Sequence, residues 1–406
     1  MAVETVIRAS FGQPGTRSAL VLMGGGARAA YQAGVLAELA RVLRSQGRDP
    51  SRFPFDILVG TSAGAINVAF LASHAQFGLD AFDALVGYWE QVRCEQVFTL
   101  RPVGSWFEQL AGTRLGAAWY SLRAAREYGA LVDSAPLRQR LEAHIGFASI
   151  VANLASGLLQ AVAVTAFSYT SGTHWTFCSV AGEQAGAQTV LWSRPGRVAV
   201  RTRLGADHLM ASSAIPLVFP PVALEVAGHV EFFGDGAMRQ TSPLSPALKL
   251  GADRILIVGV SQPPGVAQRS DRGDPARSPG PGEIAANVIS SVFHDTLAAD
   301  VEQTQRISDS LARMPREVAQ TLGYRPVCVA AIYPRGAIDR MAQSCWTALP
   351  RPIRQALAPW LAEEGASALA SYLLFEAAFA RELVRAGRED LRVHLREANT
   401  WLGGAW

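Results

Sequence analysis

The chain contains almost no lysine, few cysteines and no marked excess of charge of either sign. Lys249 is the one lysine among 37 basic residues, and the formal net charge is +3 over 406 residues. We attribute the arginine bias to genome composition rather than to a binding function. So small an excess of positive charge gives no reason to expect nucleic acid as a partner, although it does not oppose an anionic membrane surface.

Metal-binding and targeting signals are also sparse. The four cysteines are widely spaced and match no metal-binding pattern, so we expect reduced thiols in a reducing compartment and no metal or other cofactor. The first ten residues carry Glu4 and no apolar core, which is not the pattern of a signal peptide. We therefore expect a cytoplasmic protein and leave open a peripheral contact with the inner face of the membrane.

One charge-free run, residues 147–173, is long enough to cross a bilayer. It contains, however, Asn153, Ser156, Gly157, Gln160 and Ser168. A short buried helix followed by a buried strand over 158–167 fits this composition better than a membrane span. The sequence therefore predicts no transmembrane segment.

The rest of the chain is organised around residues 55–73. An apolar run over 55–59 is typical of a buried strand, residues 60–64 read G-T-S-A-G, and an almost wholly apolar helix follows. A turn serine is the usual explanation of an isolated G-x-S-x-G. Strand, sharp turn and helix, however, are the setting in which that serine is a nucleophile. Ser62 would also lie at a helix N-terminus, which favours negative charge.

A glycine-rich loop follows the first predicted strand, residues 18–23. Gly24, Gly25 and Gly26 precede a predicted helix, so their backbone N–H groups form a site for an anion. A dinucleotide phosphate would require G-x-G-x-x-G, whereas Ala29 stands at the third position and no acidic residue ends a second strand. The other possible occupant is the oxyanion of acyl transfer, and the serine elbow favours it.

A candidate base follows a predicted hairpin over residues 222–232. The hairpin leads into Gly234, Asp235 and Gly236, where an aspartate is usually an ordinary turn residue. His294 and His394 fall inside helical patterns rather than in loops at strand ends, where the base of a Ser–His pair would be expected. The other five histidines precede Asp235 and lie in no obvious site setting. Asp235 acting directly on Ser62 needs no histidine. An aspartate of pKa ~3.9 is a weak base, so burial must raise its pKa.

Three motifs together resemble the signatures of one family, the patatin-like phospholipases. They are Gly24-Gly25-Gly26-Ala27-Arg28, Gly60-Thr61-Ser62-Ala63-Gly64 and Asp235-Gly236-Ala237. The resemblance covers about residues 18 to 334. It implies a three-layer α/β/α fold with a mainly parallel central sheet, and hydrolysis of lipid acyl esters without metal or histidine.

The resemblance also implies roles for single residues. Ser62 is the implied nucleophile and Asp235 the other member of a catalytic dyad. The implied oxyanion hole consists of Gly24, Gly25, Gly26, Ala27 and Arg28. Gly60 and Gly64 are the implied elbow glycines, and Gly236 belongs to the loop of the base. Family members commonly have glycine after the motif arginine, where this chain has Ala29.

The sequence predicts three parts: a tail over 1–17, a patatin-like catalytic domain over 18–335 and a helical C-terminal extension over 336–406. Residues 262–282 are rich in proline and glycine, which predicts a mobile loop within the catalytic domain. The aromatic residues between 78 and 140 either pack helices against the core or form a cap that contacts lipid. Periodicity does not separate these two interpretations.

The expected function is serine-dependent hydrolysis of lipid acyl esters, of phospholipase A or lysophospholipase type. The expected partner is a phospholipid or another acyl-ester lipid, and the sequence predicts no oligomeric state. A catalytically silent scaffold or regulatory protein with the same fold is the first alternative, and a nucleotide-binding protein is the second. Arg28 is either a first-turn surface residue, or a group that braces the glycine loop or attracts phosphate head groups.

Overall fold

A computed structural model describes residues 15–101, 123, 129–182, 188–262, 296–351, 353–354 and 366–402. The strands in these ranges are β1 (Ser18–Leu22), β2 (Ile57–Thr61), β3 (Thr99–Leu100), β4 (Val132–Asp133), β5 (Ala161–Ser168), β6 (His174–Val180), β7 (Thr189–Arg194), β8 (Arg197–Arg201), β9 (Val222–Val226), β10 (His229–Gly234), β11 (Arg254–Val258) and β12 (Cys328–Ile332). The helices are α1 (Ala30–Ser45), α2 (Ala63–His74), α3 (Asp80–Glu90), α4 (Ala135–His144), α5 (Phe147–Ala155), α6 (Ala206–Ser212), α7 (Ser245–Lys249), α8 (Leu297–Ala312), α9 (Arg316–Thr321), α10 (Ile338–Cys345), α11 (Ala366–Leu373) and α12 (Ala377–Leu402).

The central sheet is mixed but mainly parallel where the candidate site lies. Its strand order is β12-β11-β1-β2-β5-β6-β8-β7, and the first five of these strands are mutually parallel. β10 pairs with the end of β5 and with β9, both antiparallel. β1 and β2 are buried along their whole length, as expected of parallel strands covered on both faces.

Helices cover both faces of the sheet. Leu20 and Leu22 of β1 belong to a large apolar cluster that includes residues of α1 to α6 and α10 to α12. Ala19 and Val21 point the other way, into a second cluster with α7 and with Leu297 of α8. Alternate residues of one strand thus face two helical layers, which confirms the predicted three-layer α/β/α fold.

The C-terminal helices, which the sequence predicted, pack against the first helix of the chain. α12 lies along α1, and glycines on both helices allow their backbones to approach. A Cβ at Gly34 would lie 2.1 Å from the Val384 carbonyl oxygen, and one at Gly387 would lie 2.3 Å from the Tyr31 carbonyl oxygen. The domain boundary at residues 335 and 336 stays a prediction, but α10 to α12 share one apolar cluster with the sheet.

The charge-free run is a helix and a strand. α5 covers its first part and β5 its second, as the composition predicted. None of the helices in the described ranges is both long and apolar enough to span a bilayer.

The aromatic region from 78 to 140 lies partly in the core. Tyr88, Trp89 and Phe98 are buried, which confirms the packing interpretation for these three side chains. The aromatic residues that lie outside the described ranges are Trp106, Phe107, Trp119, Tyr120 and Tyr128. The predicted loop over 262–282 also lies outside the described residues, except for its first residue.

The hairpin of β9 and β10 forms as predicted. The apolar residues that alternate along β10, however, lie on its exposed face. Val230 and Phe232 of β10 are 57% and 52% exposed, whereas Glu231 and Phe233 are buried. Phe233 packs against the rings of Trp175 and Phe177 on β6, and this contact turns the neighbouring residues outward.

Replacing Gly387 with alanine should separate α12 from α1, because the new methyl carbon would meet the Tyr31 carbonyl oxygen at 2.3 Å. We expect the free energy of unfolding to fall by about 1–3 kcal/mol, the usual cost of overpacking. Urea denaturation followed by circular dichroism measures it.

Gly87→Ala is the matched control. Gly87 lies in α3 with no atom within 4 Å of its Cβ position, so alanine should keep or raise stability there. Equal losses in both variants would contradict the close approach of α12 and α1.

Candidate active site

Ser62 occupies a sharp turn between β2 and α2. Its φ of 55° and ψ of −130° are rare for a residue with a side chain and store backbone strain. A Cβ at Gly60 would lie 2.5 Å from the Cα of Ala65, and one at Gly64 would lie 2.2 Å from the Leu22 carbonyl oxygen. Only glycine fits at these two positions, as the sequence interpretation of the elbow requires.

Asp235 lies opposite the serine. β10 pairs with the end of β5 through Gly234 and Phe167, and this pairing delivers Asp235 to the carboxyl end of the parallel strands. The Ser62 hydroxyl donates to Oδ2 of Asp235 at 2.6 Å. Ser62 is 2% exposed and Asp235 is fully buried, so the bond is shielded from water.

Burial changes the acidity of the Asp235 carboxyl. Loss of hydration raises its pKa to about 7, and hydrogen bonds from Ser62 and from the Ala237 N–H oppose this rise. The Ala237 N–H lies 2.8 Å from Oδ1, so the two carboxyl oxygens have separate donors. A carboxyl of this pKa is partly ionised at neutral pH and can accept and return a proton.

The glycine-rich loop lies beside Ser62. β1 and β2 are parallel with Leu22 opposite Gly60, so the loop after β1 and the elbow after β2 emerge at the same edge. A Cβ at Gly24 would lie 2.8 Å from the Ser62 Cβ and 3.6 Å from its Oγ. Within the described ranges, the N–H groups of Gly25 and Gly26 donate to no protein acceptor. These N–H groups are suitable donors for an anion next to the serine oxygen.

The arginine of the first motif is not a surface residue. Gly26–Ala29 form a short 3-10 turn before α1, and Arg28 within it is 6% exposed. Its Nε donates to the Ser371 hydroxyl at 2.8 Å, and a terminal nitrogen donates to Asp339 at 2.6 Å. The surface interpretation is therefore wrong, because helices far along the chain cover this turn.

Ala29, which stands where family members commonly have glycine, has an ordinary helical φ of −64°. The backbone of the turn therefore does not require glycine at this position.

A network of buried side-chain hydrogen bonds lies next to the glycine loop. The Gln32 amide donates to the carbonyl oxygens of Met23 and Val258, at 2.8 and 3.1 Å. The Asn67 amide donates to the Ala29 carbonyl oxygen and to Gln32, while the indole of Trp89 donates to Asn67. The network holds both ends of the glycine loop. Sequence analysis missed Asn67, which carries no signal beyond being a polar residue in an apolar helix.

Ser212 connects the elbow to the aspartate loop. The Ser62 N–H donates to the Ser212 hydroxyl oxygen at 2.8 Å, and the Gly236 N–H donates to the Ser212 carbonyl oxygen at 2.9 Å. A Cβ at Gly236 would lie 2.2 Å from the Thr165 carbonyl oxygen, which explains the glycine after the aspartate. A serine at the end of a short helix gives no signal from which this link could have been predicted.

Histidine does not separate the serine from the aspartate, because their oxygens are in direct contact. The imidazole of His174 on β6 lies 2.7 Å from the Gly236 carbonyl oxygen through Nε2. Burial lowers the pKa of His174, so the ring is neutral and holds the backbone of the aspartate loop. His294 lies outside the described residues. In the described ranges, no three His, Cys, Asp or Glu side chains are grouped to bind a metal.

A model of the family described as patatin-like phospholipases matches residues 20–248 of this sequence. The chain belongs to this family. The match is more than half of the chain, and it includes the glycine loop, the elbow and Asp235. Members of the family are lipid acyl hydrolases, so lipid hydrolysis is the function at the family level. A comparison with curated proteins finds no significant match.

Solved structures that resemble the chain include the following two. VipD from Legionella pneumophila is 12% identical, with 92% of this chain and 67% of that chain covered and a TM-score of 0.30. The ExoU–SpcU complex from Pseudomonas aeruginosa is 16% identical, with 89% and 69% covered and a TM-score of 0.26. At these identities and scores, neither structure carries information about activity.

Replacing Asp235 with asparagine should stabilise the protein above neutral pH. The carboxyl returns to a pKa of ~3.9 on unfolding, whereas its pKa in the folded protein is about 7. Between these values the folded protein holds a proton that the unfolded chain has released, so stability falls as pH rises through this window.

Asparagine does not titrate, so this slope should be absent from the variant. The variant should exceed the wild type in free energy of unfolding most clearly above about pH 7. Urea denaturation at about pH 5 and about pH 8 measures the difference. Parallel stability profiles for the two proteins would contradict the raised pKa of Asp235.

Proposed function

We propose that the protein is a serine-dependent lipid acyl hydrolase of phospholipase A or lysophospholipase type. The direct hydrogen bond of 2.6 Å between the Ser62 hydroxyl and the Asp235 carboxylate is the observation that carries the proposal. The N–H groups of Gly25 and Gly26 in the adjacent glycine loop, which donate to no protein acceptor in the described ranges, also support it. Ser62 is the nucleophile, Asp235 is the general base, and residues 24–28 form the oxyanion hole.

In the first step, Ser62 forms a bond to the ester carbonyl carbon. Its Oγ attacks while Asp235 accepts the hydroxyl proton, and the carbonyl π electrons move to the carbonyl oxygen. The N–H groups of Gly25 and Gly26 donate to this oxyanion, and the N-terminus of α2 adds a favourable dipole. When the tetrahedral intermediate collapses, the C–O bond to the alcohol breaks and Asp235 returns the proton to the departing oxygen.

In the second step, water removes the acyl group from Ser62. Asp235 accepts a proton from the water as the water oxygen attacks the acyl carbon. Collapse of the second tetrahedral intermediate breaks the bond to Oγ, which takes the proton back from Asp235. The products are a free fatty acid and a lipid shortened by one acyl chain, and the enzyme regains its starting state.

The proposed substrate is a phospholipid or another acyl-ester lipid, reached from the cytoplasm by peripheral contact with the inner face of the membrane. Val230 and Phe232 are exposed on β10, the strand that leads directly to Asp235. Tyr169 is 42% exposed and its backbone N–H donates to the Phe232 carbonyl oxygen. Apolar and amphipathic side chains next to the candidate site support contact with lipid.

Ser62→Ala should abolish hydrolysis, because no other group replaces the nucleophile. We expect kcat to fall by about 10⁴-fold or more on p-nitrophenyl esters and on mixed phospholipid vesicles, measured as p-nitrophenol and fatty acid release. Ser73→Ala is the matched control, since Ser73 is a buried serine at the other end of α2 that bonds the Phe70 carbonyl oxygen.

Labelling by a fluorophosphonate probe separates the proposed enzyme from a silent scaffold. The wild type and Ser73→Ala should react, and Ser62→Ala should not. An unlabelled wild type, or full activity in Ser62→Ala, would contradict the proposal.

The pH dependence of kcat/KM should report the ionisation of Asp235. The base must be unprotonated, so kcat/KM should rise with pH through an apparent pKa of about 7 and then level off. Initial rates with a soluble p-nitrophenyl ester between about pH 5.5 and 8.5 measure it. A profile without an inflection in that range would exclude Asp235 as the base.

A further inference from the structure

Arg28 connects the glycine loop to parts of the chain that lie beyond the family match. Its partner Ser371 belongs to α11 and its partner Asp339 to α10, whereas the family match ends at residue 248. The guanidinium carbon also lies 4.1 Å from the centre of the Tyr372 ring. The other terminal nitrogen donates to the Ser261 hydroxyl at 3.4 Å. A flat cation that lies on an aromatic face and makes directed hydrogen bonds has a fixed position.

Hydrogen bonds connect Arg28, Ser371 and Asp339 to one another. The Ser371 hydroxyl accepts from Nε of Arg28 and donates to the same Asp339 oxygen that accepts from the guanidinium, at 3.1 Å. The side chain of Arg28 is 7% exposed and that of Asp339 is 43% exposed. A buried guanidinium paired in this way directs its donors at the protein, which favours bracing of the glycine loop over attraction of phosphate head groups.

Arg28 contacts the glycine loop through its backbone, and neighbouring residues approach the loop closely on two sides. The Arg28 N–H donates to the Gly25 carbonyl oxygen at 3.0 Å. A Cβ at Gly26, where φ is 54°, would lie 2.1 Å from the Tyr372 carbonyl oxygen. On the other side, a Cβ at Gly25 would lie 2.5 Å from a methyl group of Val260. The loop is thus held between Val260, two residues after β11, and the end of α11.

We infer that Arg28 is a positioning residue and that Asp339, Ser371 and Tyr372, here called the C-terminal anchor, set the geometry of the oxyanion hole through it. The inference rests on the proposed function and extends it to residues outside the family match. Oxyanion donors act only when they are aimed at the position of the developing charge. Loss of the anchor should therefore reduce transition-state stabilisation and leave ground-state binding of the ester unchanged.

The test compares Asp339→Ala with Arg392→Ala in the full chain. Asp339→Ala removes the partly exposed charge of the anchor, and we expect kcat on a p-nitrophenyl ester to fall by about 10- to 100-fold with KM changed by less than about twofold. Arg392→Ala removes another ion pair of the C-terminal helices, the one with Glu38, for which Arg41 remains as a partner. This control should keep wild-type kcat.

Asp339→Asn keeps an acceptor oxygen for Arg28 and should recover most of the lost rate. Thermal unfolding of all variants shows how much folded protein each sample contains. Wild-type kcat in Asp339→Ala would overturn the inference. A loss of rate that follows the loss of folded protein would also overturn it.

The ratio of the rates on the oxygen ester and on a thionoester of the same alcohol is a second measurement. A general loss of structure should leave this ratio unchanged. Sulfur is a poorer hydrogen-bond acceptor than oxygen, so a well-aimed oxyanion hole favours the oxygen ester. The preference of the wild type for the oxygen ester should fall several-fold in Asp339→Ala and stay unchanged in Arg392→Ala. An unchanged preference in Asp339→Ala would overturn the inference alone, with the proposed function intact. A wild type that hydrolyses neither ester would overturn the proposed function and the inference with it.

Discussion

The burial of one carboxyl group beside one hydroxyl group is the constraint on which the site depends. Asp235 has no exposure to solvent, and the Ser62 hydroxyl and the Ala237 N–H are the donors that compensate its charge. A buried carboxylate costs free energy unless it is hydrogen-bonded. The same cost raises the pKa of Asp235 to about 7. The burial that costs free energy thus brings this carboxyl into the pKa range that the proposed general base requires near neutral pH.

The parallel strands bring the groups of the site to one edge of the sheet. The loop after β1, the elbow after β2 and the end of β5 meet at one edge because β1, β2 and β5 are neighbours in parallel register. β10 approaches β5 from the opposite direction and places Asp235 at that edge. Residues 173 positions apart come within hydrogen-bonding distance through these backbone pairings, and the side chains of Ser212 and His174 then hold the two loops.

Local patterns predicted much of the fold and the site, whereas long-range packing could not be predicted. Runs of apolar residues predicted β2 and β5, and the motifs predicted roles for Ser62, Asp235 and the glycine loop. Alternation in β10 could not show which face is buried, because that depends on the pairing of β10 with β5. The partner of Arg28 at Ser371 is 343 positions away and belongs to a helix that nothing in the local sequence connects to the loop.

The packing of α12 on α1 also has a consequence for synthesis of the protein. α1 leaves the ribosome before α12 and carries apolar residues such as Val35 and Leu39 that are fully buried in the finished protein. Its cover, residues 377–402, is made more than 300 residues later, since Val384 and Gly387 contact Gly34 and Tyr31. While these residues are being made, the nascent chain carries this apolar helix without its α12 cover, which makes it a suitable substrate for chaperones that bind exposed apolar surfaces.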